Sequence, residues 1–106
     1  MVEVIWSVQA RTDLDAIVDH IALDSPSRAE KFHWDAFAAS GILEKHPKSG
    51  HPVPEVMDNS VREIPFGNYR VIYWLRSERA VVILTIRHGK RKLPKRLVTG
   101  RKRTNS

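Results

Sequence analysis

The residues best suited to chemistry fall in one stretch, Arg62 to Arg91, REIPFGNYRVIYWLRSERAVVILTIRHGKR. Apolar residues that can build a sheet and cations that can hold an anion lie together in it. Charge is divided along the chain. Residues 1–60 carry five Lys/Arg against ten Asp/Glu, a net −5, and residues 61–106 carry thirteen against two, a net +11. A basic half beside an acidic half points to an anionic partner, either nucleic acid or an acidic protein; a solvated basic tail gives the same composition. Arg70 stands apart as a cation inside an apolar run. Such a cation is usually paired, here with a carboxylate at the sheet edge. Glu55, the first carboxylate ahead of the basic segment, can pair with a strand arginine in the same way.

Three strands must position these groups. Val61–Pro65 forms the first, and Gly67-Asn68 turns the chain because both residue types tolerate positive φ. Tyr69–Leu75 is aromatic and β-branched. Ser77-Glu78-Arg79 makes the next turn, and Ala80–Arg87 returns as a third strand. Tyr69, Val71, Tyr73 and Leu75 point one way; Ile72, Trp74 and Arg70 point the other. A strand apolar on both faces is covered on both, so this hairpin belongs at the centre of the sheet.

The preceding half supplies a cover. Residues 1–7 read as a short strand at or near a sheet edge. Thr12 is the expected cap of a first helix, with Asp13 and Asp15 in its first turn, where the helix dipole favours anions. Leu14, Ile17, Val18 and Ile21 form its apolar stripe, and Asp13, Asp15 and Asp19 a solvated face. Ser25-Pro26 opens a second helix, capped by Ser25. Its core stripe holds Ala29, Phe32, Ala36, Ala39 and Leu43, and His46-Pro47 ends it. Two helices with a tight connection make a hairpin that covers one sheet face. Trp34 and Phe37 fall outside the stripe, which suggests either a second contact or a locally wider core. Lys48–Ser60 reads as a loop stiffened by Pro52 and Pro54.

The expected architecture is therefore α+β: a small, twisted, mostly antiparallel sheet in the order β-α-α-β-β-β, with the N-terminal helical hairpin packed on it. A chain of 106 residues fits one domain,. We place that domain at residues 1–94 and a partly ordered basic extension at 95–106. The absence of cysteine excludes disulfides and zinc–thiolate sites,. No signal-peptide pattern or membrane-length apolar run is present, so the reading is a soluble cytoplasmic protein. No glycine-rich nucleotide fingerprint, P-loop, nucleophile elbow or zinc-protease histidine pair occurs. The five histidines, His20, His33, His46, His51 and His88, are scattered over separate elements. No cofactor or metal is expected.

The element order, together with VIWSVQARTDLDAIVDHIA, HPKSGHPVPE, REIPFGNYRVIYW and VVILTIRHGKRKL, resembles the RelE/ParE superfamily of toxins from type II toxin–antitoxin systems. The similarity runs from Val4 to about Pro94. The LDAIVDHIA helix, the PxPE loop and a strand ending in HGKR are most similar to the ParE branch, which includes chains described as plasmid-stabilisation proteins. That resemblance implies a bacterial toxin that inhibits DNA gyrase without being an enzyme. It also implies a cognate antitoxin, ParD-like or other, encoded in the same operon. On this reading Arg62, Arg70, Arg87, Lys90 and Arg91 meet the target, and Trp34 and Phe37 anchor the antitoxin.

The RelE branch is the alternative. Its members cut mRNA on the ribosome without a metal, by activating a ribose 2′-OH against the adjacent phosphate. This requires a base, an acid and cations that hold charge on phosphorus. The resemblance would assign Glu55 as base, His88 as acid, and Arg70 and Arg91 as the cations. Nuclease members usually carry a Tyr or His beyond the last strand; this chain has no Tyr after Tyr73 and no His after His88.

Overall fold

The computed structural model describes residues 1–93; the basic extension expected at 95–106 lies outside the described residues. Seven elements follow in order: β1 (Glu3–Trp6), α1 (Val8–Ala22), α2 (Pro26–Lys45), β2 (His51–Pro52), β3 (Val61–Phe66), β4 (Tyr69–Leu75) and β5 (Ala80–His88). The strands form one sheet in the order β1-β5-β4-β3-β2. β1 runs parallel to β5 and every other pairing is antiparallel. The architecture is α+β, with β4 at the centre and β1 at an edge, as the apolar patterning requires. No helix of the described residues is long and apolar enough to cross a membrane.

The two sheet faces are covered differently. Val71 and Tyr73 of β4, with Val81, Ile83 and Ile86 of β5, pack under the hairpin residues Ala10, Leu14, Ala36 and Leu43. On the other face Val61, Ile72 and Trp74 pack beneath Val53 and Val56, with Leu93 beside them. The segment between β2 and β3 therefore acts as a lid of a second, smaller core. This explains why neither central strand alternates apolar and polar residues.

Helix α1 begins five residues earlier than the Thr12 cap implies. Ser7 is the N-cap, its Oγ accepting from the Ala10 N–H at 3.0 Å. The same hydroxyl donates to the Leu84 carbonyl at 3.2 Å, so one side chain both starts the helix and ties it to β5. This tertiary bond decides the start, and Asp13 and Asp15 consequently lie beyond the first turn. Asp13 is not on a solvated face either: it is half-buried and accepts a hydrogen bond from Thr85 Oγ1 of β5. Helix α2 begins as expected, with Ser25 Oγ accepting from the Arg28 N–H at 3.2 Å and Pro26 at the first helical position.

Two further features depart from the sequence reading. The expected Lys48–Ser60 loop contains β2, which pairs His51 with Glu63 and Pro52 with Arg62. The β4–β5 pairing also shifts, because Ile72 lies opposite Thr85 whereas Tyr73 lies opposite Ile83. Leu84-Thr85 thus holds an extra residue, a β-bulge after which Ile86, Arg87 and His88 face the other way,. Without it, alternation from Ile83 would send Arg87 to the helix side. With it, Arg87 lies directly opposite Arg70 and shares its face.

Entry into β2 depends on Gly50. A Cβ there would lie 2.5 Å from the Glu63 carbonyl oxygen and 2.7 Å from the Tyr73 hydroxyl. The Gly50 N–H donates to that hydroxyl at 3.0 Å. Tyr73 is fully buried, so this contact gives its polar end a hydrogen-bond partner inside the core. Gly50→Ala should cost about 1–3 kcal/mol through overpacking. That corresponds to a fall in Tm of about 5–15 °C for a domain of this size, measurable by thermal denaturation.

Candidate functional site

Arg70 is the centre of the charged region. Its side chain is only 12% exposed. One terminal nitrogen donates to Glu55 Oε1 at 3.0 Å and to Glu63 Oε1 at 2.9 Å. The other donates to Glu55 Oε2 at 2.5 Å and to the Arg91 carbonyl at 2.8 Å. Arg70 thus binds the inter-strand segment through Glu55, β3 through Glu63 and the post-β5 turn through Arg91. The hydrogen bonds to Glu55 raise the Arg70 pKa further above its ordinary value, against the opposing effect of burial. The same bonds hold the Glu55 carboxyl below the usual carboxylate range. A planar fork suits this role because it can present parallel N–H groups to a carboxylate.

The set Arg62, Arg70, Arg87, Lys90 and Arg91 does not form one face. Arg62 lies opposite Tyr73 in the β3–β4 ladder, hence on the helix side, and its guanidinium donates to the Gly50 carbonyl at 2.9 Å. The two-residue pleat is the reason: Arg62 and Arg70 fall on opposite phases of paired strands. Arg70 and Arg87 do share a face, directly opposite one another. Like charges so placed repel, and Glu55 and Glu63 compensate one of the two. Arg87 has no carboxylate partner among the described residues, and its buried Nε has no hydrogen-bond partner. Lys90 and Arg91 are exposed in the turn that follows.

Beside this turn lies a cavity of about 490 Å³, bordered by Asp13, Ile17 and His20 of α1 and by Tyr69, Arg87, His88 and Arg91. His88 packs edge-on against Tyr69 with ring centroids 5.6 Å apart. Its Nδ1 accepts from the Lys90 N–H at 3.3 Å, which fixes the ring over the turn. The sequence reading missed Asp13, His20 and Tyr69 as neighbours of the basic turn. The packing of α1 on β5 brings Asp13 and His20 there, across some seventy positions of chain, and the β4–β5 ladder sets Tyr69 opposite His88. Among the described residues no group of three or more His, Asp or Glu is placed to hold a metal ion.

On the far side of the hairpin, Trp34 is 61% exposed and Phe37 38% exposed. Phe37 leans on Trp6 of β1 at 4.9 Å, and His33 packs edge-on against both Phe37 at 5.1 Å and Trp34 at 5.2 Å. Ile42, 55% exposed, lies two turns further along α2. This aromatic face belongs to the hairpin, whereas Arg70 shares the sheet face of Ile72 and Trp74, away from the helices.

Comparison with known proteins now adds to this geometry. The family model for the ParE toxin of the type II toxin–antitoxin system parDE matches residues 4–93. The chain belongs to the ParE toxin family. A solved structure of the chromosomal ParDE toxin–antitoxin system from P. aeruginosa is similar, with a TM-score of 0.69 and 25% identity over 83% of this chain and 96% of that one. A comparison with curated protein sequences gives no significant match. The family match covers both the Arg70 cluster and the aromatic face of α2, so both belong to the toxin domain itself.

Within this ParE-family chain, removing Arg70 would leave Glu63, a buried acid, without its guanidinium. Arg70→Met should destabilise the fold by about 3–5 kcal/mol, the usual cost of breaking a buried pair from one side. Arg70→Lys should recover only part of this, because an ammonium cannot reproduce the fork. Chemical denaturation of the three proteins checks both. The Glu55 pKa also gives a pH signature. A carboxyl depressed on folding adds stability above its unfolded value of about 4.5 and loses it as pH falls through the folded pKa,. The stability difference between wild type and Glu55→Gln should therefore shrink below about pH 4.5 and be flat near neutrality, as read from denaturant midpoints across the acid range.

Proposed function

We propose that this chain is a toxin that inhibits DNA gyrase in the cytoplasm, that it acts by occupying its target without cutting a bond, and that a cognate antitoxin neutralises it. The observation that carries the non-enzymatic reading is the Arg70–Glu55 pair. Cleavage of mRNA without a metal would need a base near neutral pKa and an arginine free to hold a phosphoryl oxygen. Glu55 is held well below that range by Arg70, and both terminal nitrogens of Arg70 are engaged. Of the four candidates for nuclease chemistry, His88 and Arg91 keep accessible side chains, while the base and the central cation are engaged with each other. The cations left to meet a target are Arg87, Lys90 and Arg91, the backbone of Arg91 being held by Arg70.

The antitoxin is proposed to dock on the aromatic face of α2. Trp34 is a large apolar side chain left in water, next to a half-buried Phe37 on a rigid helix. Tryptophan is among the residues enriched at the few positions that dominate interface binding energy. An amphipathic segment of the partner would lie along this helix.

Purified protein should trap cleaved plasmid in a gyrase supercoiling and cleavage assay and leave mRNA intact on programmed ribosomes. The combined Arg87→Gln, Lys90→Gln and Arg91→Gln variant should lose this effect while keeping its circular dichroism spectrum. Cut mRNA with unaffected gyrase would reject the reading in favour of a nuclease. Trp34→Ala with Phe37→Ala should weaken binding of the antitoxin by about 2 kcal/mol or more, roughly thirtyfold in Kd, by calorimetry. Unchanged affinity with a lowered Tm would assign the pair to the core instead.

A further inference from the structure

The cavity between α1 and the end of β5 shares Arg87 and Arg91 with the proposed target-binding set, but neither proposed contact uses its other walls. Arg87 and Arg91 border it, and neither has a carboxylate partner among the described residues. The carboxylate it does contain, Asp13, is already engaged by Thr85 and by Gln9, whose Nε2 donates at 2.8 Å. His20 and His88 add two further nitrogen-bearing rings at its rim. The cavity thus has a surplus of donors.

The remaining walls are apolar or aromatic. Ile17, Ile86 and Tyr69 line the interior, and the exposed imidazole of His88 stands edge-on to the Tyr69 ring. A carboxylate or a lone phosphate would use the donors and leave these walls in water. The volume, about 490 Å³, falls in the range of a site for a small organic ligand. An anion joined to a flat, apolar-faced ring satisfies both halves of the cavity. The geometry points to a nucleotide site: the phosphate lies on the exposed Arg91, and the base packs against His88 and Tyr69. Stacking of bases on side-chain rings is tolerant of sequence, and arginine–phosphate contacts are tolerant of it as well. The ligand class is therefore a nucleoside 5′-phosphate unit, whether free or part of a strand. The site is independent of the gyrase reading, since it requires only that these walls and cations be as they stand.

The test is titration of the purified full-length protein with deoxyadenosine monophosphate, with deoxyadenosine, with inorganic phosphate and with an acidic peptide of alternating Glu and Val. Calorimetry gives affinity, and methyl and imidazole NMR signals give location. The nucleotide should bind at least tenfold more tightly than the nucleoside or phosphate. It should shift the Ile17, Ile86 and His88 signals and leave the Trp34 indole unmoved. Arg91→Gln and His88→Ala, both at exposed positions, should each weaken binding at least fivefold; Arg79→Gln, in the β4–β5 turn, should not. A five-residue deoxyadenosine oligonucleotide separates the sources. Affinity at least tenfold above the mononucleotide, with a steep dependence on salt, assigns the site to a strand; equal affinity assigns it to a free nucleotide. No binding at 5 mM nucleotide (on the order of −3 kcal/mol) would overturn the proposal. So would phosphate binding as tightly as the nucleotide, shifts confined to other residues, or tighter binding of the acidic peptide.

Discussion

The burial of the Arg70 guanidinium constrains everything built on the sheet face away from the helices. A cation removed from water is tolerated only when acceptors surround it, and here they come from three separate stretches of chain. Glu63 lies two ladder positions from the Pro65 that pairs with Arg70. Glu55 reaches in from the segment between β2 and β3, and the Arg91 carbonyl from the turn beyond β5. The same segment carries Val53 and Val56, which cover Ile72 and Trp74. The charged clamp and the second core therefore hold the same lid, one through hydrogen bonds and the other through apolar contact. Two carboxylates around one arginine leave an excess negative charge, which Arg87 across the ladder is placed to offset.

This division of labour separates two kinds of basic residue in one short stretch. Arg62 and Arg70 spend their donors inside the fold, on Gly50 and on the two glutamates. Arg87, Lys90 and Arg91 stand at the periphery of that framework. Arg91 belongs to both groups, because its backbone carbonyl is held by Arg70 while its side chain remains exposed. A contact from a buried cation to the backbone of an exposed one orders the turn without occupying the group that meets a partner. Such an arrangement reduces the conformational entropy that the turn must lose when it binds.

Much of this was legible in the residues. The mixed apolar run Tyr69–Leu75 required cover on both faces, and the structure supplies it from the helices on one side and the 53–60 segment on the other. Arg70 sat on the side of Ile72 and Trp74 and was read as a cation seeking a carboxylate, and Glu55 as a carboxylate that a strand arginine could pair. What could not be read depends on tertiary contacts. The Ser7 cap competes with a locally stronger signal, Thr12-Asp13-Leu14-Asp15, and wins because its hydroxyl also bonds to Leu84. The one clue was Ala10, which extends the Leu14 stripe backward by four positions and is fully buried. β2 is two residues long and contains a proline, so no periodicity announces it. Grouping Arg62 with Arg70 failed because register, not proximity in sequence, decides the face.

The bulge at Leu84 shows how far a single backbone irregularity reaches into function. It carries no glycine or proline, and β5 reads as an unbroken apolar strand. Yet it changes the phase of Ile86, Arg87 and His88 together. Ile86 turns into the core under the helices, His88 comes opposite Tyr69, and Arg87 comes opposite Arg70. Thr85, next to the bulge, donates to Asp13 on α1 and so takes up acceptor capacity on one wall of the cavity. An in-phase strand would have buried an unpaired arginine beneath α1 and exposed an isoleucine, a costly exchange for a small core. The hydrophobic requirement at Ile86 thus selects the bulge, and the bulge in turn sets which cations the basic turn can present.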